Sequence, residues 1–317
     1  MRIGLFIRSH PSESLDTVLD RFVAAEESGF DTAWAGHTFE WDALSLLALA
    51  GRITRRIELG SWVVPTYPRH PVAMAQLALT AQAASGGRLA LGIGVSHRTV
   101  IQKRMGIDYA GPLRHMREYL TVLSPLLAGE RTLYRGEVFR IAAQLDAAAG
   151  APPPILLAAL GPRMLELAGQ QAQGVAIWLG AERFVGDYAL GQIEAGARAA
   201  GRACPRIVVG LPIAVSRDPG ALDAVERLLA SSSKLPAYRR VLEREGAATP
   251  AAVAIVGDES RVRDRLEALA ALGVSDFNAI PVSIPADPGA ERRTLDLLAG
   301  FARAATSAST RSASPSC

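Results

Sequence analysis

The chain has 317 residues, 49% of them hydrophobic, and its 34 Lys+Arg against 31 Asp+Glu leave a formal net charge of +3. The basic residues are scattered, nearly all are Arg, and Lys103 and Lys234 are the only lysines, so no nucleic-acid interface is indicated. Two cysteines, Cys204 and Cys317, make neither a disulfide framework nor a metal-ligand spacing, and no metal is expected. No apolar run approaches the ~20 residues that span a bilayer, and the N-terminus lacks a signal-peptide layout. The expectation is a soluble, cytoplasmic protein with no membrane partner.

Ile3 to Arg8 reads as a first strand. Leu15, Val18, Leu19, Phe22 and Val23 then form one apolar helical stripe, with Ser12 or Ser14 to cap its start and Gly29 its end. Phe30 to Ala35 is a second strand ending at Gly36-His37, and a helix follows from Asp42 to Gly51. Ile57 to Val64 is apolar and β-branched enough for a strand buried on both faces. Pro65, Pro68 and Pro71 turn the chain into a helix over Val72 to Ala84. Leu89 to Val95 is the fourth strand, and Gly92 and Gly94 let something approach its backbone closely.

Beyond it, Leu113 to Leu127 is an amphipathic helix, and Arg131 to Ile141 a small hairpin outside the main alternation. Strands follow at Ile155 to Ala159, Val175 to Leu179, Ile207 to Val215 and Phe277 to Val282. Gly161-Pro162 opens a helix, Pro219 to Gly246 is irregularly helical, and Val253 to Val256 is a short apolar piece before a helix capped by Asp258 or Ser260. A last helix covers Ala290 to Ala304, so residues 1–304 are read as one domain and 305–317 as a disordered Ser/Ala-rich tail. Strands alternating with helices imply parallel pairing with right-handed crossovers. Eight such units in about 300 residues point to a closed (β/α)8 barrel, with an open doubly wound sheet as the rival.

The most informative stretch runs from Ile57 to His97. A strand ending in Leu59-Gly60, then Pro65-Thr66 and Arg69-His70-Pro71, then Gly87-Arg88-Leu89 and Leu91-Gly92-Ile93-Gly94-Val95-Ser96-His97, resembles the bacterial-luciferase-like superfamily. More narrowly, it resembles the branch of oxidoreductases that uses the deazaflavin coenzyme F420. The resemblance runs from Met1 to about Ala304. It implies a (β/α)8 TIM barrel with an insertion between strands four and five, and an active site at the C-terminal ends of the strands. Gly92-Ile93-Gly94 is not a dinucleotide fingerprint, since the third glycine would fall at His97.

The resemblance also implies roles. In the deazaflavin-dependent sugar-phosphate dehydrogenases a His and a Trp four positions later flank the reacting carbon, and His37 and Trp41 keep that spacing. His37 would be the general acid or base and Trp41 would cover the hydride site. Gly36 stands where an Asp normally precedes that His, and a His after a strand is often merely structural. Ser61, Trp62 and Val63 would form a bulge, in this family often with a non-proline cis peptide, that backs the coenzyme's central ring; an ordinary strand end is the plain alternative. Gly94, Ser96 and His97 would neighbour the cofactor. Ala158, Ala159, Leu160 and Gly161 would bind its phosphate at a helix start. Arg69 and His70 divide evenly between capping and cofactor contact.

The leading expectation is therefore an F420-dependent oxidoreductase acting on a small organic molecule. The alternatives are a flavin mononucleotide (FMN)-dependent monooxygenase on the same barrel, or a catalytically silent cofactor-binding protein. Glu182 stands where the sugar-phosphate dehydrogenases place a phosphate-holding Lys, which argues by charge repulsion against a phosphosugar. Trp62, Tyr67 and Trp178 suggest an apolar pocket, and the family's habit implies a homodimer.

Overall fold

The structure is a computed structural model and describes residues 1–147, 150–230 and 232–312. The N-terminal half alternates β1 (Arg2–Ile7), α1 (Leu15–Ser28), β2 (Thr32–Gly36), α2 (Ala43–Ile53), β3 (Glu58–Trp62), β4 (Val64–Pro65), α3 (Pro71–Ala84), β5 (Leu89–Gly94) and α4 (Pro112–Leu127). The hairpin β6 (Thr132–Arg135) and β7 (Arg140–Ala143) interrupts before β8 (Ile155–Ala158), α5 (Pro162–Gln171), β9 (Gly174–Trp178) and α6 (Leu190–Ala199). The chain closes with β10 (Arg206–Val215), α7 (Ala221–Leu229), α8 (Pro236–Glu245), β11 (Ile255–Gly257), α9 (Glu259–Ala271), β12 (Asp276–Pro281) and α10 (Ala290–Ser312).

Local chemistry fixes many of these ends. Ser14, not Ser12, caps α1 by accepting from the Thr17 N–H at 3.1 Å, and Gly29 closes it at φ 93. Asp42 caps α2 through the Ser45 N–H at 2.9 Å, and Asp258, not Ser260, caps α9 through Arg261 N–H at 3.0 Å. Helix α10 runs past Ala304 to Ser312, and the rest of the expected tail, residues 313–317, lies outside the described residues. No helix among the described residues is long and apolar enough to cross a membrane.

All barrel pairings are parallel. The ring runs β1–β2–β3–β5–β8–β9–β10–β12 and back to β1, a closed eight-stranded barrel with the β6–β7 hairpin inserted between its fourth and fifth strands. The expected third strand is broken: the Trp62–Val63 peptide is cis, and the chain resumes as β4, with Val64 opposite Ile93 and Pro65 opposite Gly94. The short piece before α9 is β11, which extends the sheet beside the outer end of the long β10.

Inside the barrel, Trp34, Ala90, Leu156 and Val208 form a layer separate from the main core between sheet and helices, with Phe6 and Trp62 against it. The indole of Trp34 fits because β1 and β3 have no side chain there: a Cβ at Gly4 or Gly60 would come within 2.3 or 2.2 Å of it. Below this layer the barrel is closed by ions. The Arg206 guanidinium is bidentate to Asp276 at 2.6 Å and lies 2.7 Å from Glu58 Oε1, while Arg2 reaches Glu58 at 3.0 Å and Asp276 at 3.5 Å. The apolar layer and the ionic floor close the N-terminal end, leaving the C-terminal mouth for a ligand.

The inserted hairpin is pinned to α4 by one carboxylate. Glu118 accepts from the N–H groups of Glu137, Val138 and Phe139 at 3.0, 2.9 and 3.0 Å, and these bonds help hold its pKa below the usual carboxylate range against the cost of burial. One turn earlier, His115 stacks on Tyr67 with ring centres 4.0 Å apart and meets Thr66 Oγ1 at 3.0 Å. Burial pushes its pKa down from 6.5 to about 4, with Glu118 opposing. Because the folded value lies below the unfolded one, the unfolded chain binds more protons between these values. Stability from this site should be full above pH 6.5 and should fall as pH drops toward about 4. Denaturant midpoints across that range should show the slope, and His115→Gln should flatten it; an unchanged slope in the variant would refute the assignment.

Candidate active site

The mouth opens into a cavity of about 820 Å³ at the C-terminal ends of the strands. Its floor is Trp62, whose indole crosses the barrel toward β10: a Cβ at Gly210 would lie 2.7 Å from Trp62 Cζ2. Trp62 meets Trp34 edge-on with ring centres 5.4 Å apart, which ties the floor to the interior layer. From there one wall runs over Val63, Gly94 and Ala158 to Leu160 and Gly161.

The two glycines of β5 differ in purpose. A Cβ at Gly92 would fall 1.9 Å from the Ser61 carbonyl, so Gly92 lets β3 pass close at its break. A Cβ at Gly94 would meet Val63 Cγ2 at 3.0 Å and Ala158 Cβ at 3.1 Å, so its absence keeps the wall flat. At Gly161 a Cβ would meet nothing within 4 Å, and the start of α5 is open to the cavity.

Of the residues singled out from sequence, Trp62, Val63, Gly94, Ser96, His97, Ala158, Leu160 and Gly161 line this one cavity. Ser61 and Ala159 are buried behind its wall. The Ser61 hydroxyl donates to the Gly92 carbonyl and accepts from the Gly92 N–H, both at 2.8 Å, so it fastens β3 to β5 rather than facing a ligand.

His37 and Trp41 are not among the lining residues, although Gly36, Thr38 and Glu40 are. Trp41 is 42% exposed. His37 turns toward the start of α2: the Ala43 N–H points at its Nδ1 from 3.2 Å and the Arg69 guanidinium at its Nε2 from 3.0 Å. Burial lowers its pKa, Arg69 adds to this, and Asp42 opposes it. The lowered pKa keeps the ring neutral, and a neutral imidazole accepts at one nitrogen only, so just one of these two N–H groups is bonded to it; Nδ1 also lies 3.7 Å from the Asp42 carboxylate. Arg69 also binds Asp42 at 2.7 Å, and His70 accepts from Val72 N–H at 3.4 Å at the start of α3; both residues act as local anchors.

Other features come from parts of the chain that sequence reasoning passed over. Tyr238 of α8 meets His97 Nε2 at 3.0 Å, a polar pair in an otherwise largely apolar wall. Burial lowers the His97 pKa and pushes the Tyr238 hydroxyl up to about 12, so both are neutral at pH 7. Tyr109 donates to the Ser96 carbonyl at 3.2 Å and stacks on Tyr67, which itself stands back from the cavity. Ser96 and Leu179 adopt φ 58 and 63, uncommon for residues with side chains, and both follow barrel strands at the mouth. Arg8, at the end of β1, also lines the cavity. Glu182 does not: it forms a bidentate pair with Arg265 of α9, one contact at 2.8 Å. Its charge is thus neutralised, and the repulsion argument against a phosphosugar does not hold.

A closed eight-stranded barrel with its cavity at the strands' C-terminal ends is the arrangement of TIM-barrel enzymes. The family model described as luciferase-like monooxygenase matches residues 1–276. A 5,10-methylenetetrahydromethanopterin reductase from Methanolobus tindarius is 31% identical over 255 residues, covering 78% of this chain and 76% of the relative. The chain belongs to the luciferase-like monooxygenase family. Among solved structures, the coenzyme F420 dependent tetrahydromethanopterin reductase from Methanopyrus kandleri superposes with a TM-score of 0.78 at 23% identity, covering 94% of this chain and 97% of that one. An F420-dependent secondary alcohol dehydrogenase in complex with an F420-acetone adduct gives 0.80 at 17% identity, again covering 94% and 97%. At these identities the two structures establish the shared fold.

Proposed function

We propose that this protein is a coenzyme F420-dependent oxidoreductase that passes hydride between the deazaflavin and a small organic substrate. The observation that carries the reading is the flat, glycine-bearing wall from Trp62–Val63 over Gly94 to the open helix start at Gly161. It fits a planar ring with a phosphate beyond it, and reductases named for this coenzyme or its pterin substrate are among the chain's relatives and neighbours. Trp62, Val63 and Gly94 would hold the ring, and Gly161 with the start of α5 the phosphate. When bound, the group supplies a carbon centre that exchanges hydride and does not activate oxygen.

The chain's own residues do the rest. Trp62, Trp178 and Leu228 exclude water from the cavity, and His97 with Tyr238 offers a hydrogen-bonding handle to a substrate oxygen or nitrogen. His37 would serve as general acid or base and Trp41 as the cover of the hydride site only after both side chains turn toward the mouth, since neither lines the cavity and the His37 ring is held against Ala43 and Arg69.

Titration of the purified protein with coenzyme F420 and with FMN tests this. F420 should bind at least ~100-fold more tightly. Preference for FMN would move the protein to the oxygen-using monooxygenases, and F420 binding without turnover on any substrate would leave a silent binding protein. His37→Ala should leave F420 binding within about twofold and remove turnover; full turnover would take His37 out of the chemistry.

We also propose a homodimer. Leu49 and Ile53 of α2 and Leu77 of α3, 44%, 48% and 37% exposed, place an apolar strip on two helices packed side by side. Light scattering should give twice the mass of 33.5 kDa; a monomeric mass at tens of micromolar would refute it.

A further inference from the structure

Arg8 is a half-buried cation whose side chain has no partner among the described residues. It follows β1, lines the cavity, and its carbonyl accepts from Arg21 at 2.6 Å. Its guanidinium has no hydrogen bond, and no carboxylate within 4.0 Å, among the described residues. The nearby acids are all engaged elsewhere. Glu13 pairs with Arg21, Glu40 accepts from the hydroxyls of Ser9 at 2.7 Å and Thr38 at 3.1 Å, and Glu291 accepts from Ser283 at 2.7 Å. Burial lowers the Arg8 pKa, with Glu291 opposing from a distance, yet arginine stays charged in proteins. A half-buried guanidinium that opens on a cavity with largely apolar walls is poorly solvated, and an anion in that cavity would complete it.

Topology separates this charge from the phosphate turn. In the ring order β1, β2, β3, β5, β8, the strand leading to Gly161 is four steps from β1, on the opposite side of an eight-stranded barrel. The mouth thus offers two anion-binding features facing each other: backbone at Gly161 and a side chain at Arg8. Glu40 is the one carboxylate among the described lining residues, against Arg8 and the exposed Arg240, so the balance also favours an anion.

We propose that Arg8 anchors an anionic oxygen group, carboxylate or phosphate, on an otherwise apolar substrate. This rests on the oxidoreductase reading for what the ligand does there, but the binding itself can be tested without the coenzyme. The full-length, cofactor-free protein is titrated with phenylacetate, phenyl phosphate and the neutral phenylacetamide, by calorimetry and by the shift in melting temperature. At least one anion should bind and raise the melting temperature, with the amide much weaker; which anion binds identifies the source of the charge. Arg8→Gln should weaken that anion by about 10- to 100-fold, and Arg8→Lys should retain part of the affinity because it keeps charge but not the bidentate fork.

Failure of both anions to bind at millimolar concentration, equal binding of the amide, or unchanged anion affinity in Arg8→Gln would each overturn the proposal. So would a parallel fall in coenzyme F420 affinity in Arg8→Gln, which should instead stay within about twofold of the unmutated protein. Arg8-dependent anion binding in a protein that binds no F420 would sink the oxidoreductase reading and leave this one standing.

Discussion

Gly161→Asp should weaken coenzyme binding by on the order of 100-fold while leaving the protein as stable as before, or slightly more so. The two effects separate because of where the glycine sits. Its φ of −96 and ψ of 155 are ordinary extended backbone, and a Cβ would meet nothing within 4 Å, so a side chain enters without strain. Gly161 is also the residue capping α5, with Pro162 at the first helical position, and Asp is a better cap than Gly by a few tenths of a kcal/mol. The same carboxylate would occupy the helix start that the proposed phosphate needs and would repel it. Calorimetric titration with F420 beside a thermal melt reads both. Loss of affinity with loss of stability would mean a damaged fold, and unchanged affinity would remove the phosphate from this turn.

Arg206→Ala should destabilise the fold by about 3 kcal/mol, because removing one partner leaves a buried charge uncompensated. Asp276 is 2% exposed and takes both of its short contacts from Arg206, so its carboxylate would have to stay ionised in a poor environment or take up a proton. Arg2, 3.5 Å away, would offset part of the loss, which places the effect at the lower end of the ~3–5 kcal/mol range for broken buried pairs. The Glu58 contact matters less, since Oε1 lies 2.7 Å from the guanidinium without the alignment of a hydrogen bond. Chemical denaturation should show a lower midpoint with an unchanged slope. The double variant Arg206→Met, Asp276→Leu should recover much of the loss; a single variant within about 0.5 kcal/mol of the parent would show that the floor is not held electrostatically.

The alternating strands and helices were legible because the strands are short apolar runs separated by caps, prolines and glycines, which are local signals; that they close into a barrel rather than an open sheet was an expectation from the family resemblance. Helix α6 was not: Leu190–Ala199 reads LGQIEAGARA, rich in small residues, and is entered through a π-helical turn at Phe184–Ala189. The break in the third strand was expected at Ser61 to Val63 only through the family resemblance, since Trp62 and Val63 suit a strand and backbone isomer is not written in residue type. At the mouth, Trp62, Gly94 and Gly161 could be found because they end strands. Arg8 ends one too, and the same rule applied to β1 would have found it. Tyr238 could not be found that way, because only tertiary packing brings α8 to His97. His37 shows the opposite limit: its motif was readable, but the direction of its ring is set by Ala43 and Arg69. Likewise Glu182 looked like a cavity residue by its place after β9 until Arg265 claimed it.

The cavity's walls come from stretches far apart in the chain. Trp62 through Gly161 build the flat side, while Leu228, Leu229, Tyr238 and Arg240, on helices outside the ring of strands, build much of the other. An insertion or substitution near residues 228–240 therefore reshapes one side without passing through the strands that shape the other. Divergence of such proteins can proceed by exchange of one peripheral segment, which makes grafting α7 and α8 between relatives a direct way to change what the barrel accepts.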